Sequence, residues 1–182
     1  MNILVVDMCY KKDSLSGYEF VRPIASIVGD FAFIVHRSEI DNTLLHRSDG
    51  MILCGTALQD DEYIRDEHLT KLVQRYEKPL LGICAGMQIF CLAHGSTIIE
   101  MEEIGMSEVN TVHDDLGIVS SAYHLHKKGV LPNDVFIALA KNQAGPQIVK
   151  LNNKTQYGVM FHPEVRNCHV VKKFLDIICQ GR

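Results

Sequence analysis

Residues 79–95 read P-L-L-G-I-C-A-G-M-Q-I-F-C-L-A-H-G, from Pro79 to Gly95. Leu80–Cys84 is a short continuous apolar run after a proline, which predicts a strand buried on both faces of a parallel sheet. Ala85–His94 predicts a helix that stops at Gly95. Strand passes into helix with no loop between them, and Gly82 and Gly86 flank the junction cysteine two residues to either side. A turn that sharp holds its central residue in a strained conformation and needs small neighbours. It delivers the Cys84 sulfur to the carboxyl end of the strand, where open α/β sheets bind ligands. The sulfur also meets a helix N-terminus, whose free N–H groups favour a thiolate and can donate to a developing oxyanion. Most buried cysteines are small hydrophobes; the glycine pair argues for a nucleophile.

Working outward, Asn2–Met8, Ala32–His36 and Gly50–Cys54 are further apolar strands. Tyr18–Val28 reads as a helix ended by Gly29, and Glu62–Tyr76 as an amphipathic helix with Ile64, Leu69, Leu72, Val73 and Tyr76 near one face. Alternating strands and helices imply βαβ units, hence a mostly parallel sheet flanked by helices. From about Ser96 the character changes to short β-like runs: Thr97–Met101, Glu108–Val112, Ile118–Tyr123, Val135–Ala140, Ile148–Leu151 and Tyr157–Phe161. These predict an antiparallel β extension in the C-terminal half, closed by a helix over His169–Cys179. The reading is α/β, with one domain over residues 1–182.

Composition narrows the function classes. The 182 residues are enough for a substantial core without disulfide or metal staples. A net charge of −4 lacks the clustered basic face of a nucleic-acid binder, and Lys127-Lys128 and Lys172-Lys173 read as solvated surface. No apolar stretch approaches the roughly 18 residues that would span a bilayer. The N-terminus enters a strand without a basic flank or cleavage site. Six cysteines at positions 9, 54, 84, 91, 168 and 179 contain no C-x-x-C pair, so neither a disulfide framework nor a zinc ribbon is implied. Cys91 and Cys179 are expected to face the core from their helices. A cytoplasmic protein with reduced thiols, no membrane contact, no metal and no cofactor is the expectation.

A thiol nucleophile needs a base, and the base an orienting partner. Tyr157–Phe161 runs directly into His162-Pro163-Glu164. Proline at 163 biases His162 toward an extended backbone, and in an extended chain residues 162 and 164 project to the same side. One fragment thus offers an imidazole and a carboxylate able to fix its tautomer.

With both fragments in view, the chain resembles the class I, triad-type glutamine amidotransferases. The family's G-x-C-x-G-x-Q motif stands as Gly82, Cys84, Gly86 and Gln88, and its second motif as Phe161-His162-Pro163-Glu164. Their order and their separation of nearly eighty residues also match, and the likeness runs from first strand to last helix. Within the family, Pro79–Gln88 and Tyr157–Glu164 are most similar to the glutaminase of GMP synthase. The resemblance implies the class I glutaminase fold and L-glutamine as substrate. Cys84 would attack the side-chain amide, His162 would move the proton and Glu164 would orient His162. Gln88 would contact substrate, the Ala85 N–H would serve the oxyanion, and Gly55-Thr56 would supply the second donor. Tyr123-His124 would line the glutamine pocket, with Leu125-His126 offering a second register. Ammonia release alone is wasteful, and the chain carries no ATP motif, so a separate ATP-dependent synthetase subunit is the implied partner.

Two departures stand out. The family usually has a glycine pair and a proline after the third strand, whereas this chain has Cys54-Gly55-Thr56-Ala57. Leu125-His126-Lys127-Lys128 lacks the acidic residue common in GMP synthase glutaminases. They motivate one other reading, a catalytically silent regulatory subunit; the shared triad leaves a second, a γ-glutamyl hydrolase or peptidase, against which Gln88 argues.

Overall fold

The computed structural model describes residues 1–181. In chain order its elements begin with β1 (Ile3–Asp7), α1 (Ser16–Phe20), α2 (Arg22–Val28), β2 (Ala32–His36), α3 (Asn42–Arg47) and β3 (Gly50–Leu53). Next come α4 (Glu67–Arg75), β4 (Leu80–Ile83), α5 (Ala85–Ala93), β5 (Thr97–Glu108) and β6 (Asn110–Thr111). The chain continues through β7 (Ser121–Leu131), β8 (Phe136–Lys141), β9 (Pro146–Leu151), β10 (Gln156–Val159) and α6 (His169–Gln180).

The main sheet has the order β2-β1-β3-β4-β10-β9-β8-β6. Its first five strands are parallel, and β9, β8 and β6 add an antiparallel edge beyond β10. Strands β1, β3, β4 and β10 are buried at every position, which is why their sequences are continuous apolar runs rather than alternating ones. Period-two geometry sends Ile3, Val5, Ile52, Leu81 and Ile83 to one face, where Ile24, Val28, Phe174 and Ile178 of α2 and α6 cover them. Leu4, Val6, Met51, Leu53 and Leu80 go to the other, beneath Leu69 and Val73 of α4 and Met87, Ile89 and Phe90 of α5. The fold is a single α/β domain with a mostly parallel sheet between helical layers. Among the described residues no helix is long and apolar enough to cross a membrane.

Several boundaries differ from expectation for identifiable reasons. The helix expected over Tyr18–Val28 is two, α1 and α2, because Pro23 has no N–H with which to continue a helical ladder. The helix expected from Glu62 begins as a 3-10 turn, Glu62–Arg65. It restarts at Asp66, whose carboxylate accepts from the Leu69 N–H at 2.9 Å and caps α4. The run expected to end at Met101 continues through β5 to Glu108, and β5 pairs with β7 as a separate antiparallel ribbon, bulged between Glu100 and Glu103. Cys91 is buried as expected, but Cys179 is exposed, because α6 buries the stripe Val170, Phe174, Ile178.

The strand–helix junction is as tight as its glycines suggest. A Cβ at Gly82 would stand 2.5 Å from the Gly86 carbonyl oxygen, and one at Gly86 would overlap the Leu53 carbonyl on β3. Both obstacles are backbone and cannot rotate away. Gly82→Ala and Gly86→Ala are each expected to lower unfolding free energy by about 1–3 kcal/mol or more. Gly17→Ala, whose Cβ would meet only Asp7 Oδ2 at 3.7 Å, should be near neutral. Chemical denaturation of the three variants checks this.

Candidate active site

Cys84 is the single residue between β4 and α5, with φ 50° and ψ −105°. Positive φ at a residue with a Cβ costs on the order of 1–3 kcal/mol and persists only where its surroundings over-determine it. Here the Cys84 N–H donates to the Val159 carbonyl of β10 at 2.8 Å, and the Cys84 carbonyl accepts from Gln88 N–H at 3.0 Å. The backbone is held on both sides while the side chain leaves the strand end toward a cleft.

Strand β10 lies beside β4 with Val159 opposite Ile83, so the chain leaving β10 runs past the junction and carries His162. The His162 N–H donates to the Tyr123 carbonyl at 2.9 Å. The segment is not extended as expected: a turn opens at His162, whose carbonyl accepts from Val165 and Arg166 N–H. That turn still returns the Glu164 carboxylate to the ring, with Oε1 2.8 Å from His162 Nδ1. Both side chains are buried, at 1% and 2% exposure. A carboxylate only accepts, so Nδ1 carries the proton and Nε2 is free for chemistry. The Phe20 ring centroid lies 5.4 Å from the imidazole. A Cβ at Gly55 would stand 2.7 Å from His162 Cε1, so the ring occupies space that only glycine leaves open.

Burial alone would push the His162 imidazole down. The charge of Cys84 and a direct interaction with its sulfur outweigh that, and the hydrogen bond and charge of Glu164 add to them, raising His162 to about 10. Burial, then Asp7, pushes Cys9 up to about 12, and burial drives Cys54 and Cys91 well above the usual thiol range.

The cleft beside Cys84 has a volume of about 160 Å³. Its walls are the loop after β3 (Thr56 to Asp61), Tyr63, the first turn of α5 (Ala85, Gln88) and Leu125–Lys128 of β7, with Glu100 at the rim. Gln88 is buried and spoken for. Its Nε2 donates to the Lys128 carbonyl at 2.7 Å and its Oε1 accepts from Tyr63 O–H. Thr56, also buried, donates its hydroxyl to Asp60 Oδ2 at 2.8 Å. The stretch of β7 nearest the sulfur is Leu125, whose carbonyl lies 3.9 Å from Cys84 Sγ. Tyr123 and His124 do not line the cleft; Tyr123 packs edge-on to His162, and His124 is buried against Phe161 and His126. It is therefore the second register, two residues later, that borders the cleft. Lys127 and Lys128 border it too, rather than forming plain solvated surface. Tyr63 and Asp60 carry no sequence signal of a role here, since they reach the cleft from a 3-10 turn and a loop.

The raised His162 has a stability consequence with a definite sign. Its folded value lies above the usual 6.5, so the charged ring's stabilisation is complete below about pH 6.5 and is lost as pH rises through about 10. Cys84→Ser removes the largest upward influence, so His162 should titrate at lower pH in that variant. NMR titration of the imidazole reads this directly.

Comparison with known proteins places this geometry in a family. The family model described as Glutamine amidotransferase class-I matches residues 25–176. The glutamine-hydrolyzing GMP synthase subunit of Thermoplasma acidophilum is 30% identical over 161 residues, covering 80% of each chain. The subunit of the same name from Methanothermobacter thermautotrophicus is 26% identical, over 79% of this chain and 82% of its own. Among solved structures, a Thermoplasma acidophilum protein described as a GMP synthase subunit superposes with a TM-score of 0.85 at 24% identity, over 100% of this chain and 96% of that one. A glutamine amidotransferase from Thermotoga maritima gives 0.70 at 17%, over 99% and 83%; at such identities the structural likenesses speak for the fold. From the family match together with the relatives, the chain belongs to the class I glutamine amidotransferases.

Proposed function

We propose that this chain hydrolyses the side-chain amide of L-glutamine through a thioester on Cys84 and passes the ammonia to a separate ATP-dependent synthetase. The observation that carries the reading is the strained Cys84 sulfur at the cleft, backed by a buried His162–Glu164 pair. In the forward step the sulfur attacks the amide carbon, and the carbonyl electrons move onto oxygen. The Ala85 N–H, at the start of α5 where first-turn donors have no intrahelical acceptor, stabilises that oxyanion in this reading. The Gly55-Thr56 segment supplies the second donor. Collapse expels ammonia with the proton from His162, leaving a glutamyl thioester. Water then adds with its proton passing to His162, and glutamate leaves as the sulfur is restored.

The cleft suits an amino acid that carries both charges. Lys127 suits a carboxylate, while Asp60 and Asp61 suit an ammonium group; Lys128 and Glu100 pair with each other at 2.9 Å, and Asp60 Oδ1 is buried without a hydrogen-bond partner among the described residues. Gln88 acts here by bracing α5 to β7 through its amide, which makes its contribution to substrate binding one of shape. The relatives named as GMP synthase subunits support a partner that converts XMP to GMP.

Thr56 stands where the family usually has glycine, with its side chain tied to Asp60. Basal glutaminase activity of the isolated chain should therefore be weak and rise when the synthetase is added. Coupled measurement of glutamate release with and without the partner checks this, and full activity alone would overturn it. Cys84→Ala should lower glutamate release to background, and an electrophilic glutamine analogue should label Cys84 and no other cysteine. Turnover of γ-glutamyl peptides but not glutamine would replace the reading with a γ-glutamyl hydrolase. Absence of labelling even with partner present would point to a silent regulatory subunit.

A further inference from the structure

Behind the wall of the cleft, the β5–β7 ribbon gathers three side chains that the proposed chemistry does not use. Glu103 on β5 lies opposite His126 on β7, and His124 sits two residues earlier on the same strand face. His126 Nε2 is 3.4 Å and His124 Nδ1 3.9 Å from Glu103 Oε2, and the three ligand atoms all fall within 4.8 Å of one another. Both imidazoles are buried.

The hydrogen bonds around the group leave its centre unfilled. His126 Nδ1 faces the Met101 carbonyl at 3.1 Å; a carbonyl only accepts, so the ring proton is there and the Nε2 lone pair points at the carboxylate. His126 Nε2 and both ring nitrogens of His124 have no hydrogen-bond partner among the described residues. The carboxylate is itself held in place, with Oε1 accepting from Asn142 Nδ2 at 2.6 Å and Oε2 from Gln147 Nε2 at 3.1 Å. A histidine fixed by a backbone carbonyl and a carboxylate fixed by amides are the outer supports that metal ligands use.

We propose that Glu103, His124 and His126 bind a divalent transition-metal ion, with zinc the best match to two imidazoles and a carboxylate. Bond lengths of about 2.0–2.1 Å in a tetrahedral shell place neighbouring ligand atoms about 3.3 Å apart. The 3.4 Å edge already fits, and the 3.9 Å edge and the edge between the two imidazoles, which is within 4.8 Å, close with side-chain movement. Glu103 also borders an open cleft of about 1180 Å³ with Ser107 and Asn142, a route for the ion and for a water as fourth ligand. The three ligands come from two strands and form no sequence motif, which is why the sequence implied no metal.

The ion would clip β5 to β7 beside the bulge. Leu125, between the two histidines, presents its carbonyl to Cys84, so the clip fixes the wall of the glutamine cleft without joining the thiol chemistry. The site does not depend on the reaction proposed above.

The test uses chelator-stripped full chain in reductant, titrated with Zn²⁺ or Co²⁺ in the native and Cys84→Ser forms. One equivalent should bind in both forms and raise Tm, and the cobalt form should show d–d absorption without a thiolate charge-transfer band. His124→Gln and His126→Gln should each weaken binding by more than about 100-fold, and Asn142→Ala, which keeps all three ligands but removes a support of the carboxylate, by about 10–100-fold. Circular dichroism of the metal-free variants establishes that they fold; the cobalt spectrum of the native chain needs no variant. A thiolate band, binding unchanged in both histidine variants, or no binding to the native chain would each overturn the proposal.

Discussion

The hydrogen bond from the Cys84 N–H to the Val159 carbonyl is the constraint on which the site depends. It extends the pairing of β4 with β10 one residue beyond the last regular position of β4, just where the chain must reverse into α5. Because the two strands stay in register to that point, Cys84 leaves one and His162 leaves the other at the same level of the sheet. The strained backbone at Cys84 and the turn at His162 are tolerated because the parallel core beneath them is packed from both faces. A slip of one residue between β4 and β10 would turn every side chain of the displaced strand to the opposite face and part the thiol from the imidazole.

Around this pair the site is assembled from contacts that keep large groups close. Gly86 lets α5 lie against the Leu53 carbonyl, Gly82 lets the strand pass under α5, and Gly55 leaves room for the His162 ring. Gln88 then reaches from α5 to the Lys128 carbonyl, so the helix that presents the thiol is bonded to the strand that walls the cleft. Cys84, His162 and the cleft thus belong to three segments braced by main-chain atoms.

What the sequence made legible was local. The parallel strands could be read because burial on both faces leaves an uninterrupted apolar run. Gly82, Cys84, Gly86 and His162-Pro163-Glu164 could be read because each fragment carries its own geometric requirement. Less could be read where tertiary contacts decide. Helix α3 half-buries only Leu44 and Leu45 and left no periodic trace. The β5 run looked finished at Met101 because acidic residues follow, yet Glu103 turns inward to meet His126 across the ribbon. Which residues of β7 border the cleft depends on the register of β5 with β7 and on a bulge, and neither is encoded in the residues of β7 alone. The turn at Pro163 brought His162 and Glu164 together by a different route from the extended one that the proline suggested.

The β5–β7 ribbon lies outside the main sheet and yet supplies one wall of the cleft. Helix α5 is linked to it through Gln88, so any shift of the ribbon would be felt in the cleft. Anything that favours a particular ribbon position, on its outer face or within it, changes the affinity for a molecule in the cleft by some factor. Thermodynamic linkage then requires a molecule in the cleft to change the affinity of that distant ligand by the same factor. A wall built as a separate ribbon is the element through which two such binding events would report on each other.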